Sequence, residues 1–259
     1  MHVAEREQLI LQMLQERGFI GFQELDQRLD ASPATLRRDL ERLAASGRIT
    51  RVRGGARLSG GQAATAHLSG VPFHENIGRH AREKEAIGRA AAQLCQAGES
   101  VIIDGGSTTL QMCNHLADLG LQVLTNSLHI VSALLPQPNT RIAIPGGAVF
   151  REQNIVLSAF EDEGATVRYR ASKMFLGAAA VGRHGLTQTD TLLIQAERRL
   201  LRCAEQIVLL VDSSKFAAPA GHVLCPLEAV TTLVTDDGID DACAEYVEAA
   251  GVELVIARR

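Results

Sequence analysis

Apolar residues recur at helical spacing three times within about the first 45 positions. Leu9, Ile10, Met13 and Leu14 repeat before Gly18, Phe22, Leu25 and Leu29 mark a shorter second segment, and Leu36, Leu40 and Leu43 line one face of a third. Only Asp30-Ala31-Ser32 separates the second from the third, the spacing expected where one helix braces another against DNA. Gly47 is expected to end the third helix. The period then changes: Ile49-Thr50-Arg51-Val52-Arg53 alternates apolar and polar residues, Gly54-Gly55 supplies a tight turn, and Ala56-Arg57-Leu58 returns. Three helices and a small basic hairpin predict a winged helix-turn-helix domain over residues 1–58.

Ser59-Gly60-Gly61-Gln62-Ala63-Ala64-Thr65-Ala66 has no apolar period, which predicts a linker over 59–71. From 72 to 259 the rhythm is α/β. A helix is expected from about His74 to Gln96, a strand at Val101-Ile102-Ile103, a helix near Thr108 to Ala117 and a strand at Val123-Leu124-Thr125. Further short apolar runs stand at Ile142 to Ile144, Met174 to Leu176, Ile207 to Val211 and Leu233-Val234, with a helix near Asp240 to Ala250 and a last strand from Glu253 to Ile256. Continuous apolar strands of this kind predict a mainly parallel sheet covered on both faces. A chain of 259 residues accommodates both domains.

Charge separates the two parts. Residues 1–60 hold ten Arg and no Lys against eight acids, net +2, whereas the remainder holds sixteen basic and twenty-two acidic residues, net −6. Between Pro33 and Leu58 seven arginines face only Asp39 and Glu41, so a whole-chain net charge of −4 leaves a nucleic-acid partner open. In the third helix Ser32 suits the N-cap and Pro33 the first turn. Thr35, Arg38 and Arg42 then fall opposite the leucines with Arg37 beside them, a face for phosphates and base edges. A solvated surface helix is the alternative, with Glu41 as a local partner, although arginine before glutamate is the weaker pairing order. Arg51 and Arg53 extend the basic face into the hairpin.

Candidate ligand groups gather where strands end. Strand 101–103 runs into Asp104-Gly105-Gly106-Ser107-Thr108-Thr109, whose amides and hydroxyls suit a phosphate at a helix N-terminus. Thr125-Asn126-Ser127 follows the next strand, and Asp212-Ser213-Ser214-Lys215-Phe216 a later one, with Lys215 for an anion and Asp212 for a sugar hydroxyl. Gly146, Gly147 and Gly177 offer close approach of backbone to ligand. Lys84 supplies a second cation, unless it is an ordinary solvated lysine on a helix face.

Ser-Pro-Ala-Thr-Leu-Arg-Arg-Asp-Leu, with Leu43, Gly47 and Val52-Arg53-Gly54-Gly55-Ala56, resembles the DeoR/GlpR family of bacterial transcriptional repressors. The resemblance runs through nearly the whole chain. It implies a sensor related to ribose-5-phosphate isomerase and CoA-transferase folds, and it gives the Asp104, Thr125 and Asp212 segments the role of a pocket for a phosphorylated sugar or polyol. Lys84 stands at a position similar to the family's Glu-Lys pair. After Gly185-Leu186-Thr187 the chain departs from the common pattern, with Gln195 in place of a glutamate and Arg199 in place of a lysine. Thr189-Asp190-x-Leu192 followed by Ala196-Glu197 is similar instead to the branch containing the ascorbate-utilisation repressor, which implies a phosphorylated sugar or sugar-acid effector and keeps Asp190 among the pocket residues.

These readings predict a cytoplasmic repressor of a carbohydrate operon that binds double-stranded operator DNA as a homo-oligomer, dimer or tetramer, since one recognition helix reads only a few base pairs. An activator is the near alternative and a sugar-phosphate enzyme a remote one. No enzyme activity is expected: Gly-x-Ser-x-Gly, phosphate-loop and dinucleotide motifs are absent. No cofactor or metal is expected either, because Cys95, Cys113, Cys203, Cys225 and Cys243 form no Cys-x-x-Cys. No apolar run reaches the length of a membrane span, and the polar first residues do not resemble a signal peptide.

Overall fold

In the computed structural model the described residues are 3–17, 19–29, 31–46, 48–52, 55–58, 73–151, 153–157, 169–216 and 221–258. The chain divides into two compact units, Met1–His67 and Leu68–Arg259.

The first unit contains helices α1 (Val3–Arg17), α2 (Phe22–Arg28) and α3 (Pro33–Ala45), with strands β1 (Phe19–Gly21), β2 (Ile49–Val52) and β3 (Gly55–Leu58). The apolar stripes close on one another: Ile10, Leu14, Leu25, Leu29, Leu36, Leu40 and Leu43 are all buried, together with Ile20 and Ile49. The expected hairpin is present, with Val52 opposite Gly55. It is extended by β1, which pairs antiparallel with β3 and turns the wing into a three-stranded sheet. Residues 19–21, read from sequence as a short break between helices, therefore form a strand. Its Phe-Ile pair is too short for a period but suits a pleated surface. Gly47, Arg53 and Gly54 lie outside the described residues, as does the whole expected linker.

The second unit runs α4 (Phe73–Ile77), α5 (Ala81–Ala92), β4 (Ser100–Ile103), α6 (Thr109–Met112), β5 (Gln122–Leu124), α7 (Leu128–Leu134), β6 (Arg141–Ala143), β7 (Ala148–Phe150) and β8 (Ile155–Leu157). It continues with β9 (Ala171–Leu176), β10 (Ala180–Gly182), β11 (Gly185–Gln188), α8 (Thr191–Leu201), β12 (Ala204–Leu210), β13 (His222–Cys225), β14 (Thr232–Asp236), α9 (Asp241–Ala249) and β15 (Glu253–Ala257). Seven strands form one sheet in the order β15-β14-β12-β9-β4-β5-β6, and every pairing within it is parallel.

Alternate residues of each strand leave for opposite faces. Val101, Ile103, Phe175, Val208 and Leu210 pack with residues of α5, α6 and α7. Ile102, Met174, Leu176, Ile207 and Leu209 pack on the other side with residues of α8, α9 and the small antiparallel sheet β10-β11-β13. Burial on both faces is why these strands read as unbroken apolar runs.

Two expected helices are shorter than their apolar pattern suggests. The segment 74–96 breaks at His80, which adopts a left-handed conformation (φ 51°) and separates α4 from α5. The carbonyl of Asn76 accepts the Lys84 ammonium at 2.5 Å and the Arg79 amide at 3.2 Å, a tighter turn than an α-helix makes. The segment 108–117 forms only the single turn α6, followed by a 3-10 turn at Cys113–His115. Among the described residues no helix is long and apolar enough to cross a membrane.

Candidate functional site

In the first unit, α3 begins as its sequence dictates. The Ser32 hydroxyl accepts the Thr35 amide at 3.3 Å and lies 2.9 Å from the Thr35 hydroxyl, with Pro33 in the first turn. With Leu36, Leu40 and Leu43 facing inward, Arg37 and Arg38 are left exposed. The Arg37 guanidinium stands 5.2 Å from the centroid of the Phe22 ring, a cation–π contact that ties α2 to α3. Arg42, expected with Arg38 on the face for phosphates and base edges, is engaged by carboxylates. Its Nε donates to Glu7 Oε1 at 2.9 Å and its Nη2 donates to Asp39 Oδ1. Arg51 lies in β2 opposite Ala56, and Arg53 is outside the described residues.

Asp39 has a role that local spacing does not show. It is fully buried, and Arg6 of α1 grips it with Nε at 2.6 Å from Oδ2 and Nη2 at 3.3 Å from Oδ1.

The second unit holds a cavity of about 380 Å³, within the usual size range of small-ligand sites. The chain order explains its position. From β4 the strands advance to β5 and β6 on one side, then reappear as β9, β12, β14 and β15 on the other, so the switch point lies between β4 and β9. Asp104 to Thr108 follow β4 and Gly177 to Ala179 follow β9, and both stretches line the cavity.

Of the residues predicted from sequence, Asp104, Gly105, Gly106, Ser107, Thr108, Asn126, Gly177 and Lys215 lie on the wall. Gly105 has the close approach expected of it: a Cβ there would stand 2.7 Å from Ile155 Cγ2. Others support the wall from behind. The Thr109 hydroxyl donates to the carbonyl of Asp104 at 2.8 Å, Thr125 Oγ1 accepts the Ser127 amide at 3.1 Å, and Ser127 Oγ caps α7 by accepting the Ile130 amide at 3.4 Å. Asp212 accepts the amide of Ser214 at 3.2 Å and its hydroxyl, shaping the turn that carries Lys215. Asp190 is the N-cap of α8, its Oδ1 accepting the Leu192 amide at 2.7 Å. Gly146 and Gly147 are exposed and do not line the cavity. Because α6 is one turn long, residues 105–108 present loop amides and hydroxyls without an extended helix dipole behind them.

Lys84 is not a solvated surface lysine. It is 1% exposed, Nζ is held by the carbonyl of Asn76, and burial lowers its pKa to about 8 against the attraction of Asp212. It sits behind Asn76, which does line the cavity.

Sequence reasoning missed Phe73, Asn76, Arg79 and His80 as wall residues, together with Gln188, Thr189 and Glu197. Phe73 stacks on His129 with centroids 4.5 Å apart. Glu197 had a visible signal. It stands in the buried stripe of α8 between Ile194 and Leu200, where an amphipathic helix normally carries an apolar residue. Burial and the neighbouring Asp104 carboxyl push its pKa well above the usual range, and burial raises that of Asp104 as well. Gln195, one of the departures from the common family pattern, is exposed and off the wall. Among the described residues no cluster of three or more His, Cys, Asp or Glu is placed to hold a metal ion.

Residues 6–60 match the DeoR-like helix-turn-helix domain and residues 79–237 the DeoR C terminal sensor domain. The HTH-type transcriptional regulators UlaR of Shigella flexneri serotype 5b (strain 8401) and Escherichia coli (strain SMS-3-5 / SECEC) are each 32% identical over 255 residues, covering 98% of this chain and 99% of theirs. Among solved structures, ribose 5-phosphate isomerase A from Methanocaldococcus jannaschii aligns with a TM-score of 0.38 at 17% identity, over 51% of this chain and 53% of that one. The eIF2B delta structure from Chaetomium thermophilum aligns with a TM-score of 0.40 at 15% identity, over 54% and 50%. The chain thus spans about half the length of these two structures.

Proposed function

The chain belongs to the DeoR family of transcriptional regulators, and from that premise we propose that it represses a carbohydrate catabolic operon and leaves its operator when a phosphorylated sugar or sugar acid enters the sensor cavity. One observation carries the reading. The cavity at the β4/β9 switch point is lined by the amide-rich loop Gly105 to Thr108 and by the cations Arg79 and Lys215, with the hydrogen-bonding groups of Asp104, Asn126, Gln188 and Glu197 in the same wall. Loop amides and cations suit a phosphate, and the carboxyl and amide groups suit sugar hydroxyls.

On the DNA side, Arg37 and Arg38 of α3 enter the major groove and the basic wing, with Arg51 and Arg53, follows the backbone. Two or four copies present paired recognition helices to a two-fold operator in the cytoplasm. Occupancy of the cavity shifts the population between assemblies that hold the operator and assemblies that do not.

The test uses the full chain and the DNA upstream of its own gene, with binding followed by fluorescence anisotropy. Phosphorylated sugars and sugar acids are screened for release of the complex. Lys215→Ala should bind the operator as tightly as the native chain and lose release. A Lys215→Ala chain that still responds in full misplaces the pocket, and a native complex that the effector tightens overturns release by the effector.

A further inference from the structure

Glu197 carries a buried carboxyl that is matched with no cation among the described residues. It is 4% exposed; Oε1 accepts the Gln188 side-chain amide at 2.8 Å, and Oε2 is enclosed with no hydrogen-bond donor among the described residues. The neighbouring Asp104, also 4% exposed, accepts the Asn126 side-chain amide on Oδ1 at 3.0 Å. Asn126 cannot turn the other way, because its own Oδ1 is taken by the Gly105 amide at 3.0 Å. Each carboxyl therefore has one oxygen held by a fixed amide, and both line the same cavity wall, where each bears on the other.

Two ionised carboxylates are acceptors only, so a hydrogen bond between them requires a proton. The surroundings favour keeping it. The charges bearing on Glu197 are those of Asp104 and Asp190, both acidic, and the Cys225 thiol on β13 senses the same carboxyl. Arg198, next in the chain, is turned away, donating to the carbonyls of Leu224 at 3.0 Å and Val223 at 2.8 Å. Of the cavity's cations, Arg79 and Lys215 bear on Lys84 together with Asp212. Two adjacent buried carboxyls under these conditions do not both ionise near neutrality.

We propose that Asp104 and Glu197 share one proton and form a carboxylic acid–carboxylate wall that takes an uncharged hydroxyl or carbonyl of the ligand and excludes a second anionic group. The inference rests on the phosphorylated-sugar reading above and narrows it. With the phosphate among Arg79, Lys215 and the loop amides, a ligand hydroxyl can stand between the two carboxyls, accepting the proton of one and donating its own to the other. A carboxylate in that place adds a third acceptor and a charge to a buried site, and leaves acceptors facing each other.

The proton is tested on the full-length protein at pH 7 by infrared spectroscopy. The native chain should show the C=O stretch of a buried protonated carboxyl group, and Glu197→Gln should lose it; should that variant fold poorly, Asp104→Asn serves the same comparison. A native spectrum without the band overturns the proposal. Ligand choice is tested by melting-temperature titrations with two matched pairs, glucose 6-phosphate against 6-phosphogluconate and ribose 5-phosphate against 5-phosphoribonate. The proposal expects the neutral member of a binding pair to bind tighter at pH 7 by roughly a hundredfold. It also expects that preference to strengthen as the pH rises in the native chain, because loss of the shared proton adds a negative charge to the wall, but not in Glu197→Gln. Equal or tighter binding of the acid overturns it. Silence from all four probes alongside the infrared band counts against the sugar-phosphate reading, while the shared proton stands on the spectrum.

Discussion

Arg6 Nε donates to Asp39 Oδ2 at 2.6 Å, and the carboxylate it reaches is fully buried beneath the recognition helix. The pair joins α1 to α3 across 33 positions of sequence. Asp39 also takes Arg42 Nη2, so one carboxylate organises two arginines that would otherwise repel each other.

Removing this carboxylate takes its bidentate partner from the buried Arg6 guanidinium and leaves Arg42 with Glu7. Asp39→Ala should lower the melting midpoint of the first unit by more than about 5 °C while leaving the sensor transition in place. Differential scanning calorimetry of the full chain reads both transitions. An unchanged first transition would mean that the pair holds nothing together.

The arginines of α3 should divide into two kinds. Arg38 is exposed, whereas Arg42 is engaged by Glu7 and Asp39. Arg38→Ala should weaken operator binding and reduce the slope of log K against log salt by about 1 if the side chain meets a phosphate. Arg42→Ala should leave the slope alone and appear instead as a lower melting midpoint. Equal loss of slope in the two variants would show that Arg42 abandons its carboxylates on DNA.

What sequence revealed and what it hid follow from the range of the interactions. The α3 cap, its leucine stripe and the parallel strands were legible because a period of 3.6 or an unbroken apolar run is a local record of burial. The loop after β4 was legible because close approach at Gly105 leaves a glycine behind. Hidden features depend on partners far away. Arg6 and Asp39 looked like ordinary charges, and Lys84 like a solvated one, until the fold buried them. The break at His80 is accompanied by Lys84 reaching back to the Asn76 carbonyl, a contact that apolar periodicity does not record. Glu197 lay between: its place in the apolar stripe of α8 was visible, but its neighbour Asp104 is 93 positions away.

The cavity loop tolerates little at Gly105. A methyl group there would meet the buried Ile155 Cγ2 at 2.7 Å and Asn126 Oδ1 at 3.3 Å. Moving Asn126 breaks its bond from the Gly105 amide and withdraws its side-chain amide from Asp104. Gly105→Ala should therefore destabilise the sensor by about 1–3 kcal/mol and abolish effector release while operator binding persists. Calorimetry and the anisotropy assay check the two halves separately. Full effector response in this variant would mean that the Asn126–Asp104 arrangement does not support binding.

Lys84 predicts an alkaline rise in stability. Its pKa is about 8 in the folded chain against 10.5 ordinarily. Above pH 10.5 neither folded nor unfolded chain holds the proton, and burial of the amine costs least. As the pH falls from 10.5 to 8 the unfolded chain takes up a proton that the folded chain declines, so stability drops. Below 8 both are charged and the loss is constant. The shift corresponds to a change on the order of 3 kcal/mol across that window. Lys84→Met retains most of the apolar stem and removes the titration, so the difference in stability between the native chain and the variant should move in the native chain's favour between pH 8 and 10. Chemical denaturation of both proteins at several pH values in that range gives the difference directly, since other titrating groups are common to the two. Parallel curves would show that Lys84 keeps its ordinary proton affinity despite its burial.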